Sequence, residues 1–349
     1  TFLVISCPCA LVISIPLSFF GGLGACSKAG VLVKGSNYLE SLASLESLLF
    51  DKTGTLTEGV FEVTALHPND ITDEQLLHLA SHVERFSTHP IAQSLREAYE
   101  KEADACSITD VTEKSGYGVS AIINGHSVAV GNTKFMDSLG AKWKACSKVG
   151  TIVHVAIDGA YAGHIVISDC IKSDTKEALE QFKQAGVKHL VMLTGDRREV
   201  AEKIADELGI TDYQAELLPT DKVDELEKYL AKKSPRTTVG FVGDGINDAP
   251  VLARADVGIA MGGLGSDVAI EAADVVVMND QLSKIAKAIK IARKTIRIAH
   301  ENIIFSIGIK VLVLLLASLG MANMWLAIFA DVGVTILATL NAMRTMTLT

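Results

Sequence analysis

The chain predicts an α/β fold built on a parallel, doubly wound sheet, interrupted by an inserted α+β domain and flanked by membrane-spanning helices. Three observations carry this. Short apolar runs end in acidic turns at Asp51-Lys-Thr-Gly-Thr, Thr194-Gly-Asp and Gly243-Asp-Gly-Ile-Asn-Asp. Helical and strand patterns alternate from Asp169 to about Asp280, and charge vanishes from both ends of the chain. Strands alternating with helices build a parallel sheet, and ligands of such sheets bind beyond the carboxyl ends of the strands.

Taken in order, residues 2–25 carry no charge, 303–322 contain only Lys310 and 324–343 only Asp331. A bilayer-spanning helix needs about 20 apolar residues, so spans are expected at 1–25, 302–322 and 324–345, with a cytoplasmic connector at 26–47. The run Ser47-Leu-Leu-Phe50 reads as a buried strand delivering Asp51. The sheet domain is discontinuous, 48–59 and 169–283, around an insert at 60–168. Within the insert, helices are expected near Asp73–Glu84 and Ile91–Ala103, then strands punctuated by the hairpin signals Asn124-Gly125 and Asp158-Gly159. The sheet domain continues with helix Asp174–Gln184, strand Lys188–Leu193, helix Arg197–Leu208, helix Asp221–Lys232 and strand Thr237–Val242. Short strands then start at Asp256 and Asp274. A basic helix, 284–301, carries Lys284, Lys287, Lys290, Arg293, Lys294 and Arg297 beside the second span, which makes the interior segment cytoplasmic by the positive-inside rule.

At 349 residues there is room for two or three domains, and the apolar fraction of 49% is concentrated in the spans. The net charge of -9 argues against a nucleic-acid partner. The chain begins at Thr1 inside an apolar run with no positive n-region, so a fragment is expected and not a signal peptide. Cys26, Cys106, Cys146 and Cys170 lack metal-ligand spacing and read as reduced thiols. His78 and His82, at i,i+4, read as a polar surface pair before a chelate.

The three strand-end motifs converge on one chemistry. Asp51 is a candidate nucleophile for phosphorus, forming an aspartyl-phosphate. Asp244 suits Mg²⁺, a hard ion that takes oxygen ligands, and Asn247 and Asp248 complete its shell. Thr194 and Gly195 donate hydrogen bonds to the phosphoryl oxygens, and Lys222 meets their charge.

These motifs resemble the P-type ATPases, whose phosphorylation domain has a haloacid-dehalogenase-like, Rossmann-like fold. The resemblance covers essentially the whole chain. It implies catalytic roles for Asp51, Lys52, Thr53, Thr194, Gly195, Asp196, Lys222, Asn247 and Asp248, with Mg²⁺ held at Asp51, Thr53 and Asp244. Related soluble phosphatases place a second Asp two residues after the nucleophile; here that position is Thr53, a poor base, so the phosphoenzyme should persist. The family's Thr-Gly-Glu actuator motif is absent from these residues, in keeping with a missing N-terminal part that would carry the actuator domain and further membrane helices.

No Walker sequence occurs. Glu84, His89 before Pro90, Gly116 and Gly118, and Gly131-Asn132 resemble the nucleotide-binding domain of heavy-metal P-type ATPases, which implies ATP as substrate in the insert. Each piece alone is weak, since His-Pro is often a cap and Gly-x-Gly is common in hairpins.

Cys7-Pro-Cys9 lies in the first uncharged run, where proline frees a carbonyl and turns both sulfurs toward one point. A charge within a span is expensive and usually paired or functional. Lys310 and Asp331 lie about 8 and about 12 residues from the cytoplasmic side, a depth difference of roughly 6 Å, and Cys9 lies about 11 residues deep. Two thiolates and a carboxylate suit a borderline or soft divalent ion. Cys-Pro-Cys-Ala-Leu-Val-Ile-Ser with Lys310 and Asp331-Val-Gly resembles the zinc/cadmium/lead-exporting branch, with Cys7, Cys9 and Asp331 as ligands of the transported ion and Lys310 as counter-charge. The expectation is a multi-pass protein of a bacterial cell membrane, in contact with lipid. Open alternatives are a copper(I) exporter, a membrane-anchored phosphatase and a non-enzymatic metal sensor.

Overall fold

The computed structural model describes residues 8–85, 90–99, 106–114, 116–146, 148, 150–244, 248–262, 267–321 and 323–348. The chain divides into two compact units, one formed by Thr1–Leu56 and Ser173–Thr349, the other by Thr57–Lys172.

The first unit opens with helix α1 (Cys9–Lys28), strand β1 (Val31–Val33), helix α2 (Ser36–Ala43) and strand β2 (Leu45–Asp51). Every residue of β2 is buried, as expected of a central parallel strand covered on both faces. The expected connector at 26–47 is therefore structured, and β1 adds an antiparallel edge strand to the sheet.

The second unit begins with β3 (Thr57–Pro68), α3 (Asp73–Glu84) and α4 (Pro90–Ala98), so the second helix stops short of the expected Ala103. Strands β4 (Ile108–Lys114), β5 (Gly118–Ile123) and β6 (His126–Gly131) follow, then α5 (Thr133–Leu139), β7 (Thr151–Ile157) and β8 (Ala160–Ile171). The strands form one antiparallel sheet in the order β3-β8-β7-β6-β5-β4. Its core unites Leu76, Ala80 and Val83 of α3 and Leu95 of α4 with Val119, Val153, Val155 and Ile165 from one face of the sheet.

The chain returns to the first unit through α6 (Thr175–Gln184), β9 (His189–Leu193), α7 (Arg198–Leu208), β10 (Asp212–Gln214) and α8 (Pro219–Lys232). It continues through β11 (Thr238–Gly243), α9 (Ala249–Arg254), β12 (Val257–Met261), α10 (Asp267–Ala272) and β13 (Val275–Val277). The sheet order is β1-β13-β12-β11-β2-β9-β10, parallel throughout except at β1. Winding runs from β2 out to β10, then resumes on the other side at β11, so β2 lies at the switch point where such sheets open a crevice. Leu49, Phe241 and Leu226 fill one face, and Phe50 meets Phe182 of α6 across the other, ring centroids 5.6 Å apart.

The expected basic helix and second span are a single helix, α11 (Ser283–Ser318). Lysine and arginine are good helix formers, so a change from charged to apolar composition does not break it. Arg293 on α11 donates to the carbonyls of Ala43, at 3.0 Å, and Leu45, at 3.2 Å, tying the helix to the start of β2. The third apolar helix has three parts: α12 (Met324–Ile328), a π turn (Phe329–Gly333) and α13 (Val334–Met343). Three helices, Cys9–Lys28, Ser283–Ser318 and Met324–Thr347, are long and apolar enough to cross a membrane. They associate through polar and small groups: buried Asn302 donates to the Ala338 carbonyl at 3.1 Å and accepts from Asn341 at 2.9 Å, as apolar surroundings demand.

Candidate active site

Asp51 and Glu46 share one buried strand and meet opposite fates. Glu46, at the amino end, accepts from Lys188 at 2.8 Å, Thr237 Oγ1 at 2.6 Å, and the amide and hydroxyl of Ser234 at 3.0 and 2.9 Å. Led by Lys188 and Thr237, these donors hold its carboxyl well below the usual range. Asp51, at the carboxyl end, is pushed up to about 7, first by burial and then by the charge of Asp248, with Lys222 opposing and Asp244 adding to the rise. One carboxylate is locked by its partners; the other is kept reactive.

The geometry around Asp51 is set by three neighbouring strands. Lys222, from the first turn of α8, places its ammonium 2.5 Å from Asp51 Oδ1 and 2.8 Å from Asp248 Oδ1. Burial works against the charge on Lys222, yet Asp51 and Asp248 outweigh it and its pKa is raised. Lys52 turns away from the nucleophile to bond Asp196 Oδ2 at 2.6 Å, and the Asp196 amide donates to Thr194 Oγ1 at 3.1 Å. Lys52 and Asp196 thus pin the β9 loop, leaving the Thr194 hydroxyl hydrogen to donate. Thr53 is exposed, Gly195 is exposed and Asn247 lies outside the described residues. The turn at Lys52–Leu56 contains Gly54 at φ 73°, where an added Cβ would overlap the Asp244 carboxylate.

Asp51, Asp244 and Asp248 each present a carboxylate oxygen within 4.8 Å of the other two. An all-oxygen set with one ammonium against three carboxylates fits a hard divalent cation such as Mg²⁺. The buried Thr55 hydroxyl, without a hydrogen-bond partner among the described residues, leaves a further oxygen in the same turn. Asp248, expected to complete this shell, lies in the cluster with Asp51 and Asp244.

Glu84, Gly116, Gly118, Gly131 and Asn132 line one cavity of about 310 Å³ in the second unit, together with Tyr117 and Lys114, which stands 4.1 Å over the Tyr117 ring. His89 lies outside the described residues. Gly118 and Gly131 are cross-strand partners, and a Cβ at either would strike the backbone of the neighbouring strand. Asn132 accepts from Phe135 N at 3.0 Å, capping α5, and donates to the Gly116 carbonyl at 2.8 Å. Its amide therefore shapes the loop. Tyr117 stands between the two glycines that the resemblance names, while Lys114 carries no sequence signal beyond its nearness to them. If the cavity holds the nucleotide that the resemblance implies, Gly131→Ala weakens ATP binding at least ~10-fold by forcing the two strands apart, as titration calorimetry would register.

In the apolar helices, Lys310 Nζ lies 3.8 Å from Asp331 Oδ1, the pairing expected from their depths. Asp331 sits in the π turn, a helical irregularity frequent at functional sites. Cys9 is the first residue of α1, and Cys7 lies outside the described residues. His82, expected on the surface, is buried, with its ring edge-on to Tyr99; Cys106 Sγ lies 3.4 Å from His78 Nε2.

A model of the haloacid dehalogenase-like hydrolase family matches residues 45–256, from β2 past the acidic turn after β11. The chain belongs to the haloacid dehalogenase-like hydrolases, with Asp51 at the switch-point strand of the matched region. Within that family it is 54% identical over 348 residues to the cadmium, zinc and cobalt-transporting ATPase of Bacillus subtilis (strain 168), covering 99% of this chain and 50% of that protein. It is 51% identical over 343 residues to the zinc-transporting ATPase of Synechocystis, covering 98% and 47%. A zinc-transporting PIB-type ATPase solved in the E2.Pi state superposes with a TM-score of 0.88 at 38% identity, over 98% of this chain and 56% of that one. The resemblance read from the motifs, to heavy-metal P-type ATPases, is borne out, and the chain spans about half the length of the curated relatives it matches.

Proposed function

We propose that this chain is the catalytic and last-membrane portion of a P-type ATPase that exports a divalent heavy-metal ion, Zn²⁺, Cd²⁺ or Pb²⁺, through an aspartyl-phosphate. The observation that carries the reading is Lys222 spanning Asp51 and Asp248 at the switch point of the sheet. In the transfer step an Asp51 oxygen attacks the γ-phosphorus of ATP, a bond forms from that oxygen to phosphorus, and the bond to the leaving oxygen of ADP breaks. Lys222 meets the charge on the equatorial oxygens and the Thr194 hydroxyl donates to them. Mg²⁺ held by Asp51, Asp244 and Asp248 would neutralise phosphate charge when bound. Lys222, relieved of Asp51 once that oxygen is esterified, still holds Asp248 in place. Thr53 offers no base to activate water, so the acyl phosphate waits for an actuator supplied by the rest of the protein. The cavity lined by Gly118 and Gly131 suits the adenine nucleotide, since glycine edges admit a planar ring. Cys7, Cys9 and Asp331 would ligate the cargo, with Lys310 replacing it on Asp331 after release, in a chain surrounded by lipid.

The test is labelling of the full-length transporter with γ-phosphate-labelled ATP. An acid-stable, hydroxylamine-sensitive label lost in Asp51→Asn is expected; a label that survives in Asp51→Asn would overturn the nucleophile, and rapid turnover of small phosphomonoesters would favour the phosphatase instead. ATPase activity stimulated by Cu⁺ alone would refute the divalent assignment, and an unaltered Zn²⁺ response in Asp331→Ala would remove that carboxylate from the site.

A further inference from the structure

The second unit carries a cluster that the chemistry above does not use. His67 on β3, His164 on β8 and His154 on β7 stand in register across three adjacent strands. Alternation puts Val153, Val155 and Ile165 into the core beneath α3 and α4, so His154 and His164 point to the opposite face. Cys146, on the segment leading to β7, closes over that row: one ring nitrogen of His67, one of His164 and the Cys146 sulfur all lie within 4.8 Å of one another. His164 is 7% exposed, and the Nε2 atoms of His67 and His164 are both buried without a hydrogen-bond partner among the described residues. Two imidazole nitrogens buried without a partner among the described residues, in rings beside a thiol, are what a metal ion would satisfy.

The surroundings also orient the ligands. Tyr161 Oη lies 2.9 Å from His164 Nδ1 and 3.1 Å from His154 Nδ1. One of the two donor arrangements these contacts allow has His164 Nδ1–H donating to Tyr161 and Tyr161 O–H donating to His154 Nδ1, which leaves the His164 Nε2 lone pair bare. That is the tautomer a metal ligand needs, fixed by a hydrogen bond to its other nitrogen. At Cys146 the Lys148 amide donates to Sγ at 3.4 Å.

We propose that His67, His164 and Cys146 form a binding site for a borderline divalent cation of the Zn²⁺, Cd²⁺, Co²⁺ class, held by two imidazoles and one thiolate in the second unit. Three protein ligands leave a tetrahedral ion one open position, the arrangement of an exchangeable site.

Co²⁺ is the probe, because thiolate ligation gives it an intense charge-transfer absorption. It is titrated into the full chain bearing Cys7→Ser, Cys9→Ser and Cys106→Ser, which removes the Cys-Pro-Cys thiols and the thiol of the His78 contact. One equivalent with thiolate absorption is expected, lost on adding Cys146→Ser. Tyr161→Phe, which keeps all three ligands and the packing of the ring, is expected to weaken Co²⁺ binding about 10–100-fold while the absorption at saturation remains. Thiolate absorption that persists in Cys146→Ser, or an affinity unmoved by both Tyr161→Phe and His164→Ala, would overturn the site.

Discussion

Lys222→Met is expected to destabilise the catalytic unit by about 3–5 kcal/mol, because it strands buried carboxylates without their cation. Asp51 and Asp248 lose the ammonium that sits 2.5 and 2.8 Å from them, and methionine fills the stem's volume without replacing its charge. The loss should depend on pH in a direction fixed by Asp51. Its carboxyl, raised to about 7 in the folded chain, titrates near 3.9 when unfolded. The folded state therefore holds a proton that the unfolded state gives up, and this group's stabilisation is complete below about 4 and lost as pH rises toward 7. Without Lys222 the carboxyl rises further and the loss extends to higher pH. Chemical denaturation at pH 5 and pH 8 should show the smaller deficit at pH 5; equal deficits would mean that Asp51 is not the group Lys222 restrains. Phosphoenzyme formation at neutral pH should fall in parallel, since a protonated Asp51 does not attack phosphorus.

Gly54→Ala is expected to slow phosphoryl transfer about 100-fold or more with a smaller effect on stability. A left-handed φ of 73° costs an alanine roughly 1–2 kcal/mol, but the larger effect is positional. The added methyl would occupy the space of the Asp244 carboxylate, so the turn and the carboxylate must part, and misplacement of about 1 Å at a reacting centre costs on the order of 10²-fold. Rapid-quench measurement of phosphoenzyme formation, beside ATP binding to the same variant, separates the two: binding should hold while the transfer rate falls. A transfer rate within about threefold of the parent would show that Asp244 accommodates the methyl.

The convergence of Asp51, Asp244, Asp248 and Lys222 was legible because its signals are local. Each motif couples an apolar strand to the turn that ends it, and a parallel sheet brings such ends together by construction. Lys222 could be named as a charge near phosphate, but its grip on Asp248 as well as Asp51 depends on where α8 crosses the sheet. Strand β1, only Val31–Val33, was too short to carry a period, and its place beside β13 is a tertiary choice. The single helix α11 was hidden because membrane reasoning reads composition whereas helix geometry is indifferent to it. The cysteines looked inert by spacing; Cys146 meets His67 and His164 only through the register of β3, β8 and β7, and no linear interval announces that.

Helix α11 is attached at one end to the carbonyls beside β2 through Arg293 and at the other reaches Lys310 beside Asp331. Those two side chains are about 25 Å apart along one uninterrupted axis. Such a rod has no joint in which to lose motion. Over that length a rotation of about 10° at Arg293 corresponds to a displacement on the order of 4 Å at Lys310. The helix is a continuous connection between the start of β2 and the Lys310–Asp331 pair, and a flexible insertion between Arg293 and Lys310 would leave both ends intact but unconnected.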